Sequence, residues 1–242
     1  MKNKNAYLKE MGIDVWVERD AVVEHRGIAN VGKPIPFTSE VKVETKAKVE
    51  ESAPTIEVTP AVVEAIDIKS LDWQALQKRV TSCQLCELSQ TRTQTLFGVG
   101  HQMASLMIIS DDTNDKSDKL LTSMLKAMGY QRSDVYISNI IKCSSNENTD
   151  ASDSQVESCE PYLLRQISLI QPKLILVLGN ASAQKLLKSK SNMNRLRGQL
   201  HYIDGINAPI LVSYHPTYLL ASPNEKRKAW EDLQLAMKEL KK

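Results

Sequence analysis

The sequence predicts an α/β fold: three layers, α/β/α, around a central four-stranded, mainly parallel sheet, preceded by a flexible N-terminal tail. Two observations carry this. From about residue 66, apolar runs of strand length alternate with stretches whose apolar residues recur at helical spacing. Before residue 66, composition changes to proline, valine and charge without a sustained period.

The elements follow in order. ASLMIIS (104–110) is an apolar run bounded by polar residues, as in a buried strand. DKLLTSMLKAMG (118–129) has helical spacing and stops on Gly129. VYISNIIKC (135–143) starts as a second strand, and SDSQVESCEPYLLRQISLIQP (152–172) reads as a helix closed by Pro172. KLILVLG (173–179) is a third strand, ASAQKLLKS (181–189) a helix, and APILVSYHP (208–216) a fourth strand. The last segment, 224–242, is a long amphipathic helix with Trp230, Leu233, Met237 and Leu240 on one stripe.

Three zones result: residues 1–25 as a short amphipathic docking peptide, 26–65 as an extended linker, and 66–242 as the globular domain. Pro34, Pro36, Pro54 and Pro60 and the run VKVETKAKVEESAPTIEVTP support the linker, with a pair of loosely packed edge strands as the alternative.

Bulk properties narrow the class. The chain has 242 residues, 42% hydrophobic and 25% charged, with a formal net charge of +2. No run of eighteen apolar residues exists to span a membrane. MKNKNAYLKEMGID lacks the apolar core of a secretory signal, so a cytoplasmic location is expected. In a reducing compartment four cysteines rarely form disulfides, which leaves metal binding or burial. The small positive charge is only a weak pointer to an anionic partner.

In parallel sheets ligands bind beyond the carboxyl ends of the strands. Those ends here are Ser110-Asp111-Asp112, Asn139, Gly179-Asn180 and Tyr214-His215-Pro216. All are polar, which predicts a functional cleft. Each has a plainer reading. Asn139 suits a turn, His215 a packed loop, and Asp111 and Asp112 a helix cap. Arg195 and Arg197 suit either a phosphate contact or a solvated face, and Lys226, Arg227 and Lys228 surface charge.

Cys83 and Cys86 form a C-x2-C pair, Cys143 follows the second strand, and Cys159 lies in the next helix. Four thiolates complete a zinc site or anchor an iron–sulfur cluster. A zinc ribbon usually has two tight knuckles. This chain has one, which favours a cluster lodged between loop, strand end and helix.

The segments CQLCELSQTRTQTLFGVG, YISNIIKC, VESCEPYLLRQISLIQPKLILVLGNASAQKLL, LRG and VSYHPTYLLASPNEKRKAWEDL resemble the iron–sulfur uracil-DNA glycosylases of family 4, in that family's order. The resemblance covers roughly residues 72–240. It implies a uracil-DNA glycosylase-like fold acting on DNA in repair or replication. It further implies a [4Fe–4S] cluster on Cys83, Cys86, Cys143 and Cys159, with Asn139 reading the uracil edge and His215 set against a uracil carbonyl. Excision leaves negative charge on the base, which an imidazole or amide donor stabilises once the base is flipped out.

One motif departs. Where the family has a GEAPG-type run, an acidic residue and a stacking aromatic, this chain reads IISDDTNDKSDKLL. Asp111 stands where the family has glutamate, as the carboxylate that positions water. Ser144-Ser145-Asn146 replaces an Arg-Pro-Pro-like run. Weak or no uracil excision is therefore expected.

The N-terminal NAYLKEMGIDVWVERD resembles the N-terminal peptide of the psi subunit of bacterial DNA polymerase III, which docks on the clamp loader. Psi subunits also carry a degenerate glycosylase-like body. The resemblance implies clamp-loader subunits as partners of residues 1–25 through Leu8, Ile13 and Trp16, and a non-catalytic accessory subunit as the alternative function.

Overall fold

The computed structural model describes residues 67–110, 115–144 and 151–242. The docking peptide, the linker and the motif residues Asp111 and Asp112 lie outside the described residues. In chain order the elements are α1 (Trp73–Thr81), α2 (Leu88–Thr91), β1 (Gln94–Thr95), β2 (Val99–Gly100), β3 (Leu106–Ser110), α3 (Asp115–Met128) and β4 (Tyr136–Asn139). Then come β5 (Cys143–Ser144), α4 (Asp153–Ile170), β6 (Leu174–Leu178), α5 (Asn180–Leu186), α6 (Met193–Leu196), β7 (Leu200–Ile203), β8 (Ile206–Ser213), α7 (Pro216–Ala221) and α8 (Lys226–Glu239).

The main sheet has six strands in the order β2-β4-β3-β6-β8-β7. Its four central strands are the four predicted ones, and every pairing among them is parallel. Two antiparallel edges, β2 and β7, flank them, so the sheet is wider than the sequence pattern indicates. β1 and β5 form a separate two-stranded ribbon.

Strand alternation sorts the core into two halves. Leu106, Ile108, Ile137, Leu174, Leu176 and Leu211 face a cluster built with α3, α7 and α8. Met107, Ile109, Tyr136, Ile175, Val177 and Ile210 face the other, built with α4 and α5. A smaller cluster of Leu76, Val80, Phe97 and Tyr162 seats α1 against α4. Trp73 meets both Phe97 and Tyr136 edge-on, with ring centroids 5.2 and 5.4 Å away.

The helix ends carry their own signals. Asp72 caps α1, accepting from the Ala75 N–H at 2.8 Å. Ser152 and Gln155 form a reciprocal capping box at the start of α4. That helix closes on Gln171, in the left-handed region just before Pro172. His215 caps α7, with Pro216 in its first turn. Among the described residues, no helix is long and apolar enough to cross a membrane.

Leu176 sits at the centre of the sheet, 1% exposed. Leu176→Ala is expected to cost about 3 kcal/mol, read as a lower urea midpoint with an unchanged slope.

Candidate functional site

The carboxyl ends of β3, β4 and β8 meet at one cavity of about 400 Å³, lined among others by Ser110, Asn139, His215, Phe97, Ser117 and Asp118. Ser110 and Asn139 are register partners on adjacent parallel strands, so their side chains share the α3 side of the sheet. His215 arrives two residues beyond β8. Three of the four expected strand ends meet at this cavity, which brings Asn139 and His215 together; Gly179 and Asn180 do not line it.

The hydrogen bonds of His215 define its tautomer. Its Nδ1 accepts from the Thr217 backbone N–H at 3.2 Å. A neutral ring therefore carries its proton on Nε2. Nε2 lies 2.9 Å from Ser110 Oγ and donates to it. A serine nucleophile needs the reverse, a ring nitrogen free to take its proton. The pair is thus a poor nucleophile and base, and a good hydrogen-bond donor site.

Asn139 is 6% exposed, and its Nδ2 makes no hydrogen bond among the described residues. A buried amide donor without a partner costs free energy until a ligand supplies an acceptor. Its backbone is held from the opposite face. Lys142 Nζ, buried, donates to Asn139 O, Ser138 Oγ and Gln166 Oε1, each at 2.7 Å. Burial pulls the Lys142 pKa down to about 7, and the charge of the nearby Cys159 works against that pull.

The strand end before His215 has a second tie. Asp232 of α8 is buried and accepts from Arg197 Nη2 at 2.8 Å, Arg197 Nε at 3.1 Å and Ser213 Oγ at 2.8 Å. Burial raises its pKa, and Ser213 and Arg197 oppose that rise. Arg197 also lies over the Tyr214 ring. Arg197 fits neither of its two readings, phosphate contact or solvated face: its guanidinium is spent inside the fold. Arg195 is exposed. Trp230 is core, as expected.

The loop forming one wall of the cavity contains Gly98, at φ +118°. A Cβ there would stand 2.5 Å from the Tyr136 hydroxyl, so only glycine fits the turn.

Cys83 and Cys86 lie on the turn between α1 and α2, Cys143 opens β5, and Cys159 is in α4. All four are free thiols, with Cys143 and Cys159 buried. Burial raises the Cys159 pKa to about 11; the Lys142 backbone N–H lowers it, and the nearby Cys86 and Cys143 add to the rise. Arg92 donates to Cys83 O at 3.0 Å and to Cys143 Sγ at 3.7 Å. The buried Tyr162 hydroxyl lies beside Cys83 and Arg79. The cysteines therefore share one neighbourhood. Among the described residues, no group of three or more His, Cys, Asp or Glu side chains is set to hold a metal ion.

Sequence reasoning placed Ser110 at a polar strand end and did not find Lys142 or Gln166. Asp111 and the docking residues Leu8, Ile13 and Trp16 lie outside the described residues.

Residues 93–234 match the model of the Uracil DNA glycosylase superfamily. The chain belongs to the uracil-DNA glycosylase superfamily. Three similar proteins carry the name type-4 uracil-DNA glycosylase. The one from Archaeoglobus fulgidus is 29% identical over 184 residues, covering 69% of this chain and 92% of its own. That from Sulfurisphaera tokodaii is 31% identical over 179 residues, covering 66% and 81%. That from Thermotoga maritima is 28% identical over 184 residues, covering 70% and 95%.

The Arg197–Asp232 pair yields a prediction. Arg197→Leu leaves a buried carboxylate with only Ser213, and should cost about 3 kcal/mol. Thermal unfolding at neutral pH would show the loss, and acidification, by protonating Asp232, should recover part of it.

Proposed function

We propose that the chain is an iron–sulfur uracil-DNA glycosylase-like protein that recognises uracil in DNA and excises it weakly. The observation that carries this reading is the pair of donors in one buried cavity: the unpartnered Asn139 Nδ2 and the His215 Nε2–H.

The chemistry follows from those atoms. A flipped-out uracil offers a carbonyl oxygen at position 4 and an N–H at position 3. An asparagine amide complements both, and cytosine reverses both groups. As the glycosidic bond breaks, its electron pair moves onto the base, and charge gathers on the oxygen at position 2. His215, donating from Nε2, meets that charge without transferring a proton. Water then adds to the sugar carbon, and the proton it gives up neutralises the departed base anion. Asp111 is the candidate to position that water, one methylene shorter than glutamate, which supports slow excision.

The cysteine neighbourhood suits a cluster on Cys83, Cys86, Cys143 and Cys159. A cluster spreads its thiolates over separate irons, so they need not converge on one point as zinc ligands do. The Tyr162 hydroxyl beside Cys83 and the Lys142 N–H at Cys159 are donors that thiolates would satisfy. A bound cluster would hold the turn after α1, the start of β5 and α4 together, beside the cavity.

The test is incubation with uracil-containing single- and double-stranded DNA, followed by alkaline cleavage. Slow excision is expected, reduced about a hundredfold or more by His215→Ala and raised at least about tenfold by Asp111→Glu. Excision unaffected by His215→Ala, or protein that neither excises nor binds uracil, overturns the reading. Protein purified without oxygen should contain iron and sulfide in equal amounts, both lost in Cys143→Ser; a colourless protein free of iron removes the cluster.

A further inference from the structure

We propose that Lys142 is a positioning residue of the base pocket, clamping two of its walls from behind and joining them to the cysteine helix. This rests on the pocket reading above and adds a residue to it.

An ammonium has three hydrogens and no acceptor. Lys142 Nζ meets three oxygens, each at 2.7 Å: Asn139 O, Ser138 Oγ and Gln166 Oε1. Ser138 Oγ in turn donates to Gln166 Oε1 at 2.9 Å. That fixes the Gln166 amide with its Nε2 pointing away, towards Phe97 O at 2.6 Å and the Tyr136 hydroxyl at 3.3 Å. Tyr136 itself donates to Phe97 O. Every member of this network has a partner, and Lys142, Ser138, Gln166 and Tyr136 are at most 2% exposed. Such networks are rigid because losing one member strands the others.

The two ends of the network are walls of the cavity. Asn139 and Phe97 both line it. Ser138 and Asn139 alternate across the sheet, so the clamp grips the β4 end from the α4 side while the Asn139 amide faces the pocket on the other. The Lys142 main chain extends the link. Its carbonyl accepts from Leu96 N at 2.7 Å, and its N–H serves Cys159 Sγ. One residue thus touches β4, the Leu96–Phe97 wall and α4.

Lys142→Met keeps the length and removes the ammonium. With the full chain, kcat for uracil excision from single-stranded DNA is expected to fall about a hundredfold, as for a pocket group displaced by an ångström. KM should stay within about threefold and iron content should match the parent. Backbone hydrogen exchange should rise at residues 96–99 and 137–141 and stay unchanged in β6. Unchanged kcat overturns the proposal. So does a variant that loses iron, or one whose exchange rises across the whole sheet, because the effect then runs through general unfolding. If the parent protein neither excises nor binds uracil, the pocket reading fails separately. The clamp is then judged on exchange: a rise confined to the two walls sustains it, and no change rejects it.

Discussion

A parallel sheet buried on both faces leaves a ligand nowhere to bind except the ends of its strands, and this constraint orders the rest of the molecule. β3, β4, β6 and β8 are apolar on both sides, and helices cover both faces. Polar side chains can then appear only where the strands run out. Ser110 and Asn139 reach that line in the same register, and His215 reaches it one strand beyond β6. Their meeting in one cavity is a consequence of parallel pairing. A shift of one residue in β4 would turn Asn139 to the α4 side and put Ser138 in its place.

Two buried charges hold those strand ends, one on each side of the sheet. Lys142 grips β4 from the α4 side, and Asp232 grips β8 from the α8 side through Ser213. A buried charge is tolerated only when its hydrogen-bonding capacity is filled. Asp232 has a bidentate arginine and a serine; Lys142 has three oxygens. Hydrophobic side chains of equal volume would fill the same space without fixing a direction. The polar pairs specify where Asn139 and His215 point, which apolar packing alone leaves loose.

What the sequence made legible follows from the same physics. Apolar runs such as LILVL and LMIIS mark central strands because both of their faces are buried, and all four were readable. The edge strands were not, because β2 is a two-residue segment, Val99–Gly100, and β7 is only partly buried. Asn139 and His215 stood out as polar residues at strand ends. Lys142 did not, because a lysine in NIIKC reads as a solvent-facing charge, and only the fold reveals that it is 2% exposed. Arg197 misled for the same reason: LRG looks basic and exposed, yet its partner Asp232 lies 35 residues away, beyond any local pattern. The plainer expectation for Trp230, that it is core, needed only its place on an amphipathic stripe.

Ser110 shows how a strand-end residue acquires meaning from its neighbours. On its own it ends an apolar run. Beside His215 it makes a pair that looks like a nucleophile with its base, and the direction of one further hydrogen bond reverses that impression. Because Thr217 donates to Nδ1, the ring presents a proton, not a lone pair, to Ser110. The same proton is then available to any carbonyl oxygen that enters the cavity and displaces the serine. The cavity thus offers donors from two directions, His215 and Asn139, to a planar group with oxygens on separate edges. A helix cap sets this polarity: His215 caps α7, and its orientation is a property of the turn at Pro216 as much as of the pocket. The donor geometry of the cavity and the local fold therefore use the same imidazole, which ties the cleft to the first turn of a six-residue helix.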